Sequence, residues 1–149
     1  MTASDDAGRP LVRVVAAVIE REGRYLLTQR RASAVLPMLW EFPGGKVERH
    51  ESDDDALARE LNHRLGVKVD VGVRISTVRH TYEAYDVELN LYECSLPADE
   101  SLVALSVNAF AWVTSAEFEG LTFTPADERS MTMLLGFVVA RASRPVLEG

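Results

Sequence analysis

Residues 44–67 read GGKVERHESDDDALARELNHRLGV, and the order of residues in this stretch decides how the rest of the chain is organised. Ser52 precedes Asp53, Asp54 and Asp55, the pattern of a helix N-cap followed by a first turn whose negative charge the helix dipole favours. Asp55 holds the position at which a capping box carries Glu. Leu57, Leu61 and Leu65 recur four apart with Ala58 beside them, so one face of the helix is built for a core. The other carries Arg59, Glu60, His63 and Arg64, and Gly66 ends the helix. Ahead of it, Gly44 and Gly45 follow Pro43, and a glycine pair lets backbone approach a ligand closely or take a positive φ. The expected arrangement is a functional glycine loop followed by an amphipathic helix.

On either side of this stretch the pattern turns to strands. Val12 to Ile19 and Arg24 to Arg30 are β-like runs joined by a turn at Glu22-Gly23, a first hairpin. Beyond the helix, Val67 to His80 and Ala84 to Cys94 form two more strands. In the second, Val87, Leu89 and Leu91 alternate with Glu88, Asn90 and Tyr92, the mark of a half-buried strand. Ala109 to Val113 is a further strand, and Thr114 with Glu117 makes a capping box for a short helix. Thr124-Pro125-Ala126-Asp127 opens a last helix whose core face is Met131, Leu134, Leu135 and Val138. This order predicts an α/β fold, a mixed sheet with helices packed on it. A single domain over residues 10–143 is expected between tails at 1–9 and 144–149.

The chain has 149 residues, 47% apolar and 26% charged, which excludes disorder throughout. A chain of this length buries roughly 68–70% of its unfolded surface without needing disulfides or a structural metal. Cys94 is the one cysteine, so there is no internal disulfide and no cysteine-based zinc site. No stretch approaches the ~20 apolar residues of a membrane helix, and the acidic, small-residue start lacks signal-peptide character. A cytoplasmic protein is expected. With 16 Lys and Arg against 23 Asp and Glu, the net charge of −7 repels nucleic acid backbones and argues against such a partner. Small polyanions can still bind where cations gather locally, and an acidic chain also suits a carboxylate metal site.

Gly45, Glu51, Arg59-Glu60-Leu61 and Gly66-Val67 together resemble the Nudix box, G-x5-E-x7-R-E-U-x-E-E-x-G-U with U aliphatic, and Trp40 to Glu48 is similar to its MutT branch. The likeness extends to Tyr25–Arg30, His80–Cys94, Asn108–Val113 and Thr124–Glu128. It implies an α/β/α sandwich with a mixed curved sheet between helices. It also implies hydrolysis of nucleoside triphosphates to monophosphate and pyrophosphate with Mg2+ or Mn2+. Carried over residue by residue, it assigns Arg30 to phosphate, Lys46 with Gly44 and Gly45 to the ligand loop, and Asp127 to the base. Glu51 and Arg59 brace the loop against the helix, while Glu60, with the loop at Gly45, is the remaining metal ligand.

The pattern breaks where the chemistry is strongest. The family presents Glu at the positions of Glu60, His63 and Arg64, one helical face whose carboxylates hold metals. Mg2+ wants oxygen ligands in near-octahedral geometry, whereas His63 offers nitrogen and Arg64 a permanent positive charge. Per unit charge, a cation 4 Å from Arg64 meets a repulsion of about 4 kcal/mol at an effective dielectric of 20. Ser106 also stands where relatives often carry Glu. Glu83, Asp86 or Glu88 could substitute if their strand faces point inward. Glu60 can serve equally as a residual ligand or as the i, i+4 partner of Arg64. His63, His50, His80 and Cys94 lack ligand partners at useful spacing.

Three functions remain open on these residues. The first is a nucleotide-binding domain whose metal-dependent hydrolysis is lost or greatly weakened, needing no cofactor. The second is an active Mg2+- or Mn2+-dependent hydrolase using Glu60 with other carboxylates. The third is a non-catalytic module with a protein partner.

Overall fold

The computed structural model describes residues 9–127. Seven strands form one mixed sheet: β1 (Leu11–Arg21), β2 (Arg24–Gln29), β3 (Trp40–Glu41), β4 (Gly44–Lys46), β5 (Asp70–Thr81), β6 (Asp86–Ser95) and β7 (Ala109–Val113). The main order is β3-β2-β1-β6-β5, with β4 also pairing β1 and β7 also pairing β2. β1 runs parallel to β6, from Leu11 opposite Asp86 to Ile19 opposite Cys94, and every other pairing is antiparallel. The first hairpin forms as expected. Glu22 and Gly23 sit at φ 52° and 78° between Arg21 and Arg24, the left-handed two-residue turn that matches strand twist.

Strand β1 is apolar without alternation because both of its faces are covered. Val15, Ala17 and Ile19 pack against Leu57, Leu61 and Leu65 of helix α1 (Asp53–Leu65), while Ala16 and Val18 join Phe42, Val87, Leu89 and Leu91 on the opposite face. Helix α1 starts at Ser52, whose hydroxyl accepts the Asp55 N–H at 3.1 Å, and stops at Gly66, which takes φ 69° and returns its N–H to Asn62. The expected half-buried β6 is instead covered on both sides. Its polar alternates Asn90 and Tyr92 point towards the start of α1 and donate to Asp53 at 3.3 and 2.6 Å. Burial on that face is tolerated because each polar atom finds a partner.

Several boundaries differ from the sequence expectation: β1 extends to Leu11 and Arg21, and β2 stops at Gln29. β5 begins at Asp70 rather than Val67, and β6 at Asp86 rather than Ala84. Arg9, expected in the tail, is held by Asp86 at 3.1 Å and by the Tyr82 carbonyl at 2.6 Å. Thr114 and Glu117 cap a 3-10 helix, Ser115–Gly120, in which the Glu117 carboxylate accepts the Thr114 N–H at 2.7 Å. Residues 125–127 begin a helix, and its expected core face at Met131, Leu134, Leu135 and Val138 lies outside the described residues. Among the described residues, no helix is long and apolar enough to cross a membrane. Cys94 is a buried free thiol, pushed up to about 11 by desolvation.

Candidate functional site

The glycine pair forms β4, with Gly45 opposite Val15 and Gly44 opposite Ala16. Both glycines are needed for close approach rather than for an unusual φ. A Cβ on Gly44 would collide with the Val15 carbonyl, and one on Gly45 would collide with the carboxyl of Glu60. The loop is thus pressed directly against the carboxyl of Glu60.

Glu60, expected on the solvent side of α1, is in fact buried, at 8% exposure. Two guanidinium groups compensate it: Arg59 Nη1 donates to Oε2 at 2.8 Å and Arg64 Nε to Oε1 at 2.7 Å. Arg59 also forms a two-point bridge to Glu51, at 2.7 and 2.8 Å, and donates to the Lys46 carbonyl at 2.9 Å. Glu51 in turn accepts the Glu48 N–H at 2.9 Å. Arg59 thereby ties loop to helix. The same hydrogen bonds hold the Glu51 carboxyl down at about 2, and Glu51 pushes the Arg59 guanidinium up.

Between β4, β3 and the aromatic end of β5 lies a cleft of about 810 Å3, within the size range of small-molecule sites. Arg30, Lys46, Gly44, Gly45, Glu60, Arg64 and Asp127 all line it; Glu51 and Arg59 do not, and act from behind through Glu60 and the loop. Tyr82 and Tyr85 stand on its wall, stacked with ring centres 5.2 Å apart. Arg30 is already engaged, donating to the Val35 carbonyl at 2.6 Å and to Glu41 at 3.3 Å. The strand acids that could face inward do not: Asp86 binds Arg9, Glu88 binds Arg79 at 3.2 Å, and none of Glu83, Asp86 and Glu88 lines the cleft.

Asp127 is buried, accepting the Phe42 N–H at 3.1 Å and the Thr124 hydroxyl at 2.7 Å. Burial, with Glu41 nearby, raises its carboxyl to about 7. Sequence reasoning missed Glu41 as a site residue. It sits between Arg30 and Arg64, the latter 4.0 Å away, and burial shifts it upward against the pull of both. A two-residue strand has no periodicity from which its direction could be read. Ser106 occupies the end of α1, where its hydroxyl donates to the His63 carbonyl at 3.4 Å.

The donor set around Glu60 does not fit a Mg2+-type ion, which needs several oxygen ligands free of competing cations. Both Glu60 oxygens already accept from arginines, Oε2 from Arg59 and Oε1 from Arg64. Among the described residues, no group of three His, Cys, Asp or Glu side chains is placed to hold a metal ion.

The model of the NUDIX domain matches residues 14–133. The chain is 38% identical over 136 residues to a CTP pyrophosphohydrolase of Escherichia coli K12, covering 91% of this chain and 97% of that protein. It is 31% identical over 80 residues to an 8-oxo-dGTP diphosphatase of Proteus vulgaris, covering 53% of this chain and 71% of the relative. Among solved structures, the E. coli ORF135 protein superposes with a TM-score of 0.74 at 35% identity, covering 94% and 97% of the two chains. The MutT protein of Methanosarcina mazei Go1 gives 0.71 at 26% identity, covering 83% and 91%. The mixed sheet and its helix are therefore the fold shared with these structures.

Proposed function

The chain belongs to the Nudix family, and from that premise we propose that it binds a nucleoside triphosphate in the large cleft while metal-dependent pyrophosphohydrolysis is lost or greatly weakened. Nudix relatives of this kind act on nucleotides, and Nudix hydrolases generally use a divalent metal. The observation that carries the proposal is the Arg64–Glu60 contact of 2.7 Å, which places a cation on the carboxylate that would otherwise hold the ion. In this reading Arg30, Arg64 and Lys46 receive phosphate oxygens directly. The Tyr82–Tyr85 stack and Asp127 form the base end, where a carboxyl near neutral pKa can accept from or donate to a ring nitrogen or exocyclic group.

Thermal melting with CTP, dGTP and 8-oxo-dGTP, in EDTA and in Mg2+, tests this. At a ligand concentration 100 times Kd, binding adds about 2.7 kcal/mol. Stabilisation by at least one nucleotide in EDTA is expected, with no pyrophosphate released in Mg2+ or Mn2+. A strict Mg2+ requirement for binding would overturn the proposal. The likeness to a pyrophosphohydrolase over nearly the whole chain favours a second reading, an active hydrolase in which Arg64 swings away and Glu60 works with Glu41. Turnover abolished by Glu60→Ala would establish it instead.

A further inference from the structure

Next to the nucleotide cleft is a second cavity of about 240 Å3, lined by Arg30, Arg31, Ala34, His63, Arg64 and Ser106. Arg30 and Arg64 also line the large cleft, so the two spaces share these two residues. Their electrostatics differ in part. The large cleft sets Glu41, Glu48, Glu60 and Asp127 against its basic side chains, whereas the small cavity has no carboxylate in its own wall; Arg30 and Arg64 still pair with Glu41 and Glu60 on the large-cleft side, so Arg31 and His63 are its unpaired groups. The side chains of Arg31 and His63 make no ion pair or hydrogen bond among the described residues.

The cavity also lies at the C-terminal end of α1, where free carbonyls would repel an anion. Here they are occupied. The Arg64 carbonyl accepts the N–H groups of Leu105 and Ser106 at 2.9 and 3.3 Å, and the Leu65 carbonyl accepts that of Val103 at 3.0 Å. What remains in the cavity wall is a set of three arginines and a histidine, in a chain whose net charge is −7. Planar guanidinium groups match the oxygens of a phosphate with paired hydrogen bonds.

We propose that this small cavity is an anion subsite for the terminal phosphates of a ligand whose nucleoside end lies in the large cleft. Arg30, Arg31 and Arg64 then neutralise the phosphate chain in place of a metal, with His63 as a further hydrogen-bonding group, and the set selects for its length. The ligand class is a nucleoside 5′-triphosphate or longer polyphosphate. The inference rests on the metal-independent binding proposed above, and a free inorganic polyphosphate is the other source of the same chemistry.

Titration calorimetry on the full chain in EDTA separates the two. The probes are CMP, CTP, GMP, GTP and inorganic tripolyphosphate. The variants are Arg31→Ala with His63→Ala, and Arg24→Ala as a control that removes one charge at an exposed pair with Glu117. In the parent protein, at least one triphosphate is expected to bind ten times more tightly than its monophosphate, and tripolyphosphate to bind on its own. The double variant should lose about tenfold for triphosphate and tripolyphosphate, leave the monophosphate unchanged, and match the parent in its melting curve. The control should behave as the parent.

Equal affinity for mono- and triphosphate, an unchanged ratio in the double variant, or no binding of tripolyphosphate would each overturn the subsite. Tripolyphosphate binding that depends on Arg31 and His63, without nucleotide binding in EDTA, would support the subsite and overturn the nucleotide reading of the large cleft.

Discussion

Arg64 Nε lies 2.7 Å from Glu60 Oε1, one helical turn along α1, while Arg59 holds the other oxygen of the same carboxylate at 2.8 Å. A buried carboxylate between two arginines is a structural element, and its removal leaves two guanidinium groups with one partner fewer each. Glu60→Ala should therefore destabilise the fold by about 2–4 kcal/mol, since breaking a buried pair exposes its full desolvation cost. For a chain of this size that is a fall in Tm of roughly 5–10 °C. Thermal denaturation followed by circular dichroism measures it, and a change below 1 °C would mean the bridges contribute nothing net.

Gly45→Ala should act through the same carboxylate. The added methyl would occupy the space of the Glu60 carboxyl and force it off its arginines, at a cost of about 1–3 kcal/mol. Because the clash and the bridges share one side chain, Gly45→Ala combined with Glu60→Ala should cost clearly less than the sum of the two. Urea unfolding of the three variants closes the cycle. Strict additivity would place the cost of Gly45→Ala elsewhere.

Asp127 and Glu51 tilt the stability curve in opposite directions. Asp127 is raised to about 7, above the ~3.9 of an unfolded Asp, so the native state keeps a proton that the unfolded chain releases. Its effect on stability is unfavourable as pH rises from about 4 to about 7 and is complete above that. Asp127→Asn keeps an acceptor for the Phe42 N–H and should flatten this part of the curve, read as urea midpoints between pH 4 and 8. An unaltered slope would show that the Asp127 proton is not the one involved.

Glu51, held at about 2 by Arg59, contributes stability that is present above the ~4.3 of an unfolded Glu and fades as pH falls towards 2. Glu51→Gln should therefore lower stability near neutrality and have little effect at pH 2. The comparison of acid-limb midpoints decides the matter, and an equal loss at both ends would assign the effect to packing.

Replacing His63→Glu together with Arg64→Glu removes the cation from the ion-binding face and adds two carboxylates at i+3 and i+4 from Glu60. Mn2+ affinity measured by calorimetry should rise at least tenfold, and pyrophosphate release from a nucleoside triphosphate should appear with it. Unchanged Mn2+ affinity would show that these two positions do not limit metal binding.

The sequence by itself determined the features made by near neighbours. Ser52 caps α1 three residues before the N–H it accepts, Gly66 ends the helix because it takes a left-handed φ, and Glu22-Gly23 closes the β1–β2 turn. The Glu51–Arg59 bridge belongs here too, spanning a loop end and the next helix. Family membership was equally legible, because it rests on spacing along 23 consecutive positions, residues 45–67. Tertiary structure alone decided which acids face the cleft. Glu83, Asp86 and Glu88 were the strand acids that could turn inward, and none of them lines it; Glu41, from a two-residue strand without periodicity, does. The charge balance of the cleft was decided there too: its arginines and lysine face acids drawn from β3, the loop after β4, α1 and the segment at Asp127, while no acid stands in the wall of the smaller cavity. Asp127 depends on Phe42, 85 residues away, for one of its hydrogen bonds. Caps and turns are set by backbone groups within a few residues, whereas the burial, charge partners and proton affinity of a carboxylate are set by whatever distant segments the fold packs against it.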